Sequence, residues 1–366
     1  MLLIGGSIVF LLLLLLVFIY PVTGILRFGF MQKIYKNKKR RYLILSALIP
    51  VAVEIIFCFI SFVDTVAVVA HLSFFLAVCD VIRLFISKAI KKNPAGYICT
   101  LIAFAVTTVY LGIGMYNIYH VRQTCYTIKT EKNIGDKPLR IVQIADSHIG
   151  TTFHADGFSD YLKQIESVNP DIVLFTGDFV DDDSTKDDMI KCCEALGKMK
   201  TTYGVYMVYG NHDKGYSNYR DFTYKDLEEE LKKNNVPLLQ DETVLIDDRF
   251  YIVGRQDRST KDRATAEELT NDLDSSKYII ILDHQPNDYD NEAATCADLV
   301  LSGHTHGGQL IPIGPIGELI GANDATYGLY EKNGTSFIVN SGISDWAVHF
   351  KTGAFSEYGI IDIIPD

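Results

Sequence analysis

The chain has 366 residues, 48% of them hydrophobic, and a formal net charge of −11 at pH 7. This charge is unevenly divided, since residues 1–120 carry a net +8 and the remaining residues a net −19. An acidic surface repels a phosphate backbone, so the second part is not expected to bind polymeric DNA or RNA.

The first 120 residues have the composition of a membrane domain. Leu2–Leu26 contains no charged residue and can cross a bilayer, for which about 20 apolar residues suffice. A signal peptide is the alternative, but the segment lacks a basic start and a small-residue cleavage pattern. Three more apolar segments follow, and together the four predict an all-α transmembrane bundle of four helices: Tyr42–Val63, Thr65–Ile86 and Ala95–Tyr119 are the other three.

Basic residues are concentrated in two of the loops between these segments. Six lie between positions 33 and 41 and three between positions 88 and 92, whereas the loop between the second and third segments offers only Asp64. Positively charged loops stay in the cytoplasm, so both termini are predicted to face outward. The expected location is therefore the cell membrane, in multi-pass form, with the rest of the chain on the extracytoplasmic side.

Residues 121–137 are predicted to be a short tether, and residues 138–366 a soluble domain. Five short apolar runs in this domain end in Asp, Asn or His, as buried strands followed by polar loops do. Buried strands indicate an α/β fold, in which side chains at the carboxyl ends of strands converge on one cleft. The polar residues at the five run ends are Asp146 and His148, Asp178, Asn211, His284, and His304 and His306.

The spacing and chemistry of these residues predict a metal site. Asp146 and His148 are two residues apart, as are His304 and His306, so each pair leaves an extended chain on one side. Carboxylates, imidazoles and one amide, without a thiolate, favour Mn, Fe, Zn or Mg over a structural zinc site. One such segment is weak evidence, because a buried histidine is more often an ordinary core residue. Five of them in order predict a two-metal hydrolytic site.

The order of these motifs resembles that of the calcineurin-like metallophosphoesterase family. The motifs are Asp-x-His at 146–148, Gly-Asp-x-x-Asp at 177–181, Gly-Asn-His-Asp at 210–213, His284, and Gly-His-x-His at 303–306. The resemblance covers residues 138–366 and implies a four-layer αββα sandwich that holds two divalent metal ions, with Mn²⁺ as the first choice. It implies that Asp178 bridges the two ions. The other ligands would be Asp146, His148 and His306 for one ion, and Asn211, His284 and His304 for the other.

The chemistry of such a two-metal site predicts a mechanism and roles for two further residues. Two cations about 3.5–4 Å apart activate a hydroxide for in-line attack on phosphorus. His212, which follows a ligand directly, is predicted to protonate the leaving oxygen or to stabilise charge in the transition state. Asp213 is expected either to orient His212 through a hydrogen bond or to cap a helix.

These features predict a membrane-anchored, metal-dependent phosphoesterase. The chain is similar to transmembrane proteins with a C-terminal metallophosphoesterase domain, and its His-Thr-His-Gly-Gly-Gln sequence at 304–309 resembles bacterial phosphodiesterases that act near membranes. A phosphoester of a lipid, an isoprenoid or an envelope glycan is therefore the favoured substrate, and the lipid bilayer is the expected partner. Two alternatives stay open: a nucleotide phosphatase or cyclic-nucleotide phosphodiesterase, and a catalytically silent metal-binding scaffold.

Overall fold

The computed structural model describes residues 17–36, 52, 54–58, 61–135, 137–216 and 219–366. The chain forms two compact units, Met1–Ile113 and Gly114–Asp366. The first two predicted spans lie largely outside the described residues, which cover helical turns at 17–25 and 54–58 only.

Three helices with defined bounds precede the sheets: α1 (Gly29–Lys36), α2 (Phe62–Ile90) and α3 (Gly96–Tyr119). Both α2 and α3 are long and apolar enough to cross a membrane. Helix α2 begins before the predicted start of the third span, because the hydroxyl of Ser61 caps it by accepting a hydrogen bond from the Asp64 backbone N–H at 3.2 Å. Asp64 therefore lies in the first helical turn, where the helix dipole favours an acid, rather than in a loop.

Asp80, within α2, is neutralised by partners from two segments. The guanidinium of Arg27 donates two hydrogen bonds to its carboxylate, at 2.6 and 2.7 Å. The Tyr20 hydroxyl donates a third at 2.7 Å, whereas Arg83, three residues along the same helix, lies 3.8 Å away. A carboxylate among apolar side chains needs such partners. The contact with Arg83 on the same helix is therefore weaker than the contact with Arg27. Arg27 is 53 residues away in the chain, so residue spacing could not predict that contact.

The second unit contains a five-stranded and a six-stranded sheet. The first has the order β1-β11-β2-β3-β4, with β2, β3 and β4 parallel and β11 antiparallel to β2. Its strands are β1 (Arg122–Thr130), β2 (Leu139–Ile144), β3 (Ile172–Thr176), β4 (Val205–Val208) and β11 (Glu357–Pro365). Both faces of β3 are buried, as expected for a strand between two layers.

The second sheet has the order β5-β6-β7-β8-β10-β9. Strands β6, β7, β8 and β10 are parallel, and the edge strands β5 and β9 pair antiparallel to their neighbours. The strands are β5 (Glu242–Ile246), β6 (Phe250–Gly254), β7 (Tyr278–Leu282), β8 (Leu299–Ser302), β9 (Gly328–Lys332) and β10 (Thr335–Val339). The predicted α/β class is confirmed, with mixed sheets.

Strand β1 occupies residues that the sequence assigns to the tether. It pairs in parallel with β11 over its whole length, from Arg122 beside Glu357 to Thr130 beside Pro365. Its side chains are mostly polar, and only Ile128 is buried, so the apolar pattern of a strand is weak. The connection between α3 and the first sheet is therefore only the segment between Tyr119 and Arg122.

Helices cover the outer faces of the two sheets. The inner faces meet in one apolar cluster that includes Leu174 and Leu301, one from each sheet. Helices α4 (Ala155–Glu166), α5 (Lys186–Gly197) and α6 (Tyr224–Lys233) pack on the first sheet, and α7 (Ala266–Thr270) and α8 (Tyr289–Glu292) on the second. A last short helix, α9 (Ile313–Leu319), follows a 3-10 turn at His306–Gly308.

Candidate metal centre

All five polar segments singled out in the sequence lie directly after the carboxyl ends of strands. They follow β2, β3 and β4 of the first sheet and β7 and β8 of the second. The structure brings side chains from both sheets within contact distance of one another, as ligands at strand ends of an α/β fold do. The seven residues involved are Asp146, His148, Asp178, Asn211, His284, His304 and His306.

Five of these seven residues have a left-handed backbone. The φ angles are 51° at Asp146, 35° at His148, 54° at Asp178, 71° at His304 and 49° at His306. A side chain in this region costs on the order of 1–3 kcal/mol per residue and persists only where the surroundings enforce it. The concentration of this strain at one place indicates that the fold is built to aim these side chains.

Two glycines allow the loops to approach the carboxylates. A β-carbon on Gly303 would overlap Oδ2 of Asp146 and lie 2.8 Å from the Ala145 β-carbon. A β-carbon on Gly210 would overlap Oδ1 of Asp178. The absence of a side chain at these positions is therefore a steric requirement of the site.

We predict that Gly303→Ala lowers the metal content and the activity of the purified chain, because the added methyl displaces Asp146. Gly112→Ala is the matched control, since its β-carbon would meet nothing within 4 Å. The metal-to-protein ratio of both variants, measured by inductively coupled plasma mass spectrometry, checks this. Unchanged metal content in Gly303→Ala would contradict the steric argument.

The atoms that could bind a metal form two neighbouring groups. Asp146, His148 and His306 offer atoms that lie within 4.8 Å of one another, and so do Asp178, His284 and His304. Asp178 lies between the groups, with Oδ2 3.1 Å from His284 Nε2 and 3.6 Å from His148 Nε2. One carboxylate therefore faces imidazoles of both groups.

The seventh residue, Asn211, belongs to the second group by contact. Its Oδ1 lies 3.2 Å from His284 Nε2. Its Nδ2 donates a hydrogen bond to the Tyr216 hydroxyl at 2.8 Å. The amide is therefore held with its oxygen, an atom that could bind a metal, turned towards the histidines.

Hydrogen bonds set the orientation of two imidazoles. His284 Nδ1 lies 2.7 Å from the Thr176 carbonyl oxygen, which can only accept, so Nδ1 carries a proton and Nε2 faces the oxygens of Asn211 and Asp178. His148 Nδ1 lies 3.1 Å from Asp181 Oδ2, and its Nε2 is buried with no hydrogen-bond partner among the described residues. This carboxylate–imidazole arrangement is typical of metal ligands.

A third imidazole lies against buried charged residues that the sequence reasoning missed. His306 Nδ1 lies 3.1 Å from Asp345 Oδ1, and Lys351 Nζ lies 3.8 Å from the same oxygen. The Lys351 ammonium also donates to the carbonyl oxygens of Ser341 and Ser344, at 2.7 and 3.2 Å. Burial lowers the pKa of Lys351 and raises that of Asp345 to about 7. The available signal was the position of Asp345 after the end of β10, a layout similar to that of the seven candidate ligands.

The electrostatics suit cation binding. Burial opposes ionisation of Asp178, but His284 and His148 hold its pKa well below the usual range. Burial lowers the pKa values of His304 and His306 to about 3, so both are neutral at pH 7. Burial also disfavours protonation of His148, yet the hydrogen bond that its ring donates to Asp181 raises its pKa. Asp178, His304 and His306 are therefore in the forms that a divalent ion requires, whereas, despite burial, nearby carboxylates also raise the pKa of His284, so His148 and His284 would release a proton on binding one.

His212 lies beside the two groups. Its backbone N–H donates to Asp178 Oδ1 at 2.8 Å. Its ring centroid is 5.0 Å from that of His148 and 5.1 Å from that of Trp346, and burial lowers its pKa. With His148 and Asp181 it also forms a third set of atoms within 4.8 Å of one another.

Asp213 has a different role from the two that the sequence suggests. Its carboxylate accepts four backbone N–H donors, from Asp178, Phe179, Val180 and Gly210, at 2.7–3.1 Å. Among the described residues, no hydrogen bond joins it to His212, and the residues around it form a turn rather than a helix. Asp213 therefore fixes the loop after β3 to the loop after β4, which places Asp178.

Comparison with known proteins identifies the class. The chain matches the family model of the calcineurin-like phosphoesterases over residues 139–308, a range that contains all seven residues. It is similar to an uncharacterized metallophosphoesterase of Aquifex aeolicus, with 33% identity over 203 residues, 54% of this chain and 74% of the relative. A Helicobacter pylori metallophosphoesterase is 30% identical over 63% of this chain and 61% of its own length. The chain belongs to the calcineurin-like phosphoesterase family and is by class a metal-dependent phosphoester hydrolase.

A further relative is a transmembrane protein with a metallophosphoesterase domain. The transmembrane protein with metallophosphoesterase domain of Danio rerio is 26% identical over 275 residues, 70% of this chain. The match covers 61% of that protein, so the chain spans less than two thirds of this relative and of the one from Helicobacter pylori.

Proposed function

We propose that the chain is a membrane-anchored dinuclear phosphoesterase that hydrolyses a phosphoester of a lipid, an isoprenoid or an envelope glycan. The observation that carries the dinuclear site is Asp178, whose Oδ2 faces His284 on one side and His148 on the other. A carboxylate shared in this way can hold two cations about 3.5–4 Å apart.

Asp178 would bridge the ions, with Asp146, His148 and His306 completing one site and Asn211, His284 and His304 the other. The buried Nε2 of His148, without a hydrogen-bond partner among the described residues, fits a metal ligand. Two divalent ions bound here would supply Lewis-acid activation of water and of the phosphoryl group. Manganese is the first choice among Mn, Fe, Zn and Mg.

The remaining polar residues would orient these ligands and handle the proton. Asp181 forms a hydrogen bond with His148, and Asp345 Oδ1 lies 3.1 Å from His306 Nδ1. His212, which lies beside both groups, would give a proton to the leaving oxygen. The complete ligand set and His212 argue against a catalytically silent scaffold.

The substrate class is supported by the position of the site in the chain. Helix α3 is long and apolar enough to cross a membrane, and it ends at Tyr119, just before β1 begins at Arg122. So short a connection would keep the site close to the bilayer. The net charge of −19 after residue 120 disfavours polymeric nucleic acid as a substrate.

The test is a substrate screen with the full chain in detergent, loaded in turn with Mn²⁺, Fe²⁺, Zn²⁺ or Mg²⁺. Bis-p-nitrophenyl phosphate, p-nitrophenyl phosphate, lipid phosphates, nucleotides and cyclic nucleotides are compared by kcat/KM. We expect metal-dependent hydrolysis with the highest value for a lipid phosphoester. A preference for nucleotides or cyclic nucleotides would favour the soluble-substrate alternative, and no hydrolysis with any metal would favour the scaffold.

We further propose four membrane spans with both termini outside. Cysteines introduced at Lys38 and Lys91 should then be protected from an impermeant thiol reagent in intact cells, whereas a cysteine at Lys129 should react. The Lys129 side chain is 66% exposed, so the reagent can reach it. Protection at Lys129 and reaction at Lys91 would contradict the proposed orientation.

A further inference from the structure

One short segment of the second unit exposes apolar side chains next to the metal centre. Residues Leu310–Gly321, here called the apolar segment, contain α9 and a single charged residue, Glu318. The exposed fractions are 53% for Ile311, 85% for Leu319 and 71% for Ile320. A contiguous apolar surface of this kind is unfavourable in water and indicates an interaction site.

The base of the apolar segment is fixed to the chain that precedes β11. The backbone N–H groups of Thr352 and Gly353 both donate to the Gln309 carbonyl oxygen, at 2.7 and 2.9 Å. The Ile311 N–H donates to Thr352 Oγ1 at 3.1 Å. The position of the apolar segment therefore follows that of residues 351–353.

Residues 351 and 352 in turn contact the last turns of α3, which belong to the same compact unit. The Lys351 N–H donates to the Gly114 carbonyl oxygen at 3.1 Å, and Asn117 Nδ2 donates to the Lys351 carbonyl oxygen at 3.1 Å. A β-carbon on Gly114 would lie 2.9 Å from Thr352 Cγ2. The end of α3 and the apolar segment are thus joined through two consecutive residues.

The depth of that junction in the bilayer follows from the length of α3. This step rests on the proposed function, in which α3 crosses the bilayer. Its 24 residues rise about 36 Å at 1.5 Å each, more than the about 30 Å hydrocarbon core. The end of the helix therefore reaches the interface, where tyrosines are typical, and Tyr116 and Tyr119 are both exposed there. Gly114 lies five residues, about 7.5 Å, before this end, so the apolar segment joined to it lies at the boundary between acyl chains and headgroups.

We propose that the apolar segment inserts into the surface of the bilayer that α3 crosses. A short apolar helix can bury its exposed face about 5–10 Å into the boundary of headgroups and acyl chains. The segment leaves the metal centre directly, since Gln309 follows His306 by three residues and its Nε2 donates to the Trp346 carbonyl oxygen at 2.9 Å. The Trp346 ring is 5.1 Å from that of His212, so docking would hold the rim of the site at the depth of lipid headgroups.

The test uses the full chain reconstituted in phosphatidylcholine vesicles, with tryptophan as a depth probe. Trp346, the single tryptophan, is first replaced by Phe. A new tryptophan is then placed at Leu319 or, as the matched control, at Lys198 directly after α5, whose side chain is 75% exposed. Brominated acyl chains should quench Leu319→Trp fluorescence by at least half relative to unbrominated vesicles, and leave Lys198→Trp unchanged. Equal fluorescence of Leu319→Trp in both vesicles would overturn the proposal.

A second variant tests whether the apolar face itself makes the contact. Ile313→Asp with Ile320→Asp, added to Leu319→Trp, should abolish the quenching, because charged groups are costly in the acyl region. Metal-dependent hydrolysis of soluble bis-p-nitrophenyl phosphate should equal that of the parent with Trp346→Phe and Leu319→Trp alone, which shows that the domain is still folded. Quenching that persists in this variant would overturn the proposal. A tryptophan at position 319 that brominated lipid does not quench but that is shielded from aqueous acrylamide would also overturn the proposal. A second copy of the chain would then cover the apolar segment.

Failure of docking and failure of the proposed function give different results. Vesicle flotation measures anchoring, and the substrate screen measures the substrate class. Quenching of Leu319→Trp without hydrolysis of any lipid phosphoester would support the docking and remove the substrate proposal. Lipid phosphoester hydrolysis by a floating chain whose Leu319→Trp is unquenched would overturn the docking alone.

Discussion

Replacing Asp178 by Asn should strip metal from both halves of the site. The Asp178 carboxylate faces both groups of candidate ligands, with Oδ2 3.1 Å from His284 Nε2 and 3.6 Å from His148 Nε2. Metal analysis should find about two divalent ions per wild-type chain, as a bridged pair requires, and well below one in the variant. Turnover should fall by more than the about 10–100-fold that loss of a ligand's hydrogen-bond partner typically causes.

The control for Asp178→Asn is Asp187→Asn, at an exposed acid on α5 that pairs with Lys191. It removes the same charge from the same domain and should keep wild-type metal content. Full metal occupancy in Asp178→Asn would contradict the bridging role. Loss of only one ion would assign the carboxylate to a single site.

His212→Ala should separate proton transfer from metal binding. The His212 ring lies beside the groups, 5.0 Å from the His148 ring, and its N–H supports Asp178 through the backbone, which the substitution leaves in place. Metal content should therefore be retained while kcat falls by about 10²–10⁴-fold, the range of general acid catalysis. The loss should be largest for alkyl esters, whose leaving groups need a proton, and smaller for nitrophenyl esters, whose leaving groups depart as stable anions.

Two further variants serve as controls for His212→Ala. His154→Ala removes an exposed imidazole outside the site and should change the turnover of neither alkyl nor nitrophenyl esters. His304→Ala should slow every substrate, because it weakens a metal site. An equal loss for both leaving-group classes in His212→Ala, or a loss of metal, would remove the proton-donor role and leave His212 as a structural or purely electrostatic element.

The candidate site was predictable because its signals are local. An apolar run that stops at Asp, Asn or His marks a buried strand that opens into a polar loop, and parallel strands bring such ends to one edge. Asp146, Asp178 and His284 each follow a strand in this way. The sequence therefore contained both the residues and the reason for their proximity.

The parts that escaped prediction depend on contacts between distant residues. Asp345 lies beside His306, although α9, β9 and β10 separate them in the chain. Asp213 accepts hydrogen bonds from backbone groups 33–35 residues away, in the loop after β3. Strand β1 is specified by its pairing with β11, more than 200 residues later, and not by an apolar pattern of its own. Arg27 neutralises Asp80 from a different segment. None of these contacts has a signature in residue spacing.

Anomalous diffraction from crystals of the metal-loaded chain tests the dinuclear site most directly. Data collected at the absorption edges of Mn, Fe and Zn should show two peaks about 3.5–4 Å apart, one on each side of the Asp178 carboxylate. One peak should be bound by Asp146, His148 and His306, and the other by Asn211, His284 and His304. A single peak, or two peaks that do not share Asp178, would contradict the account.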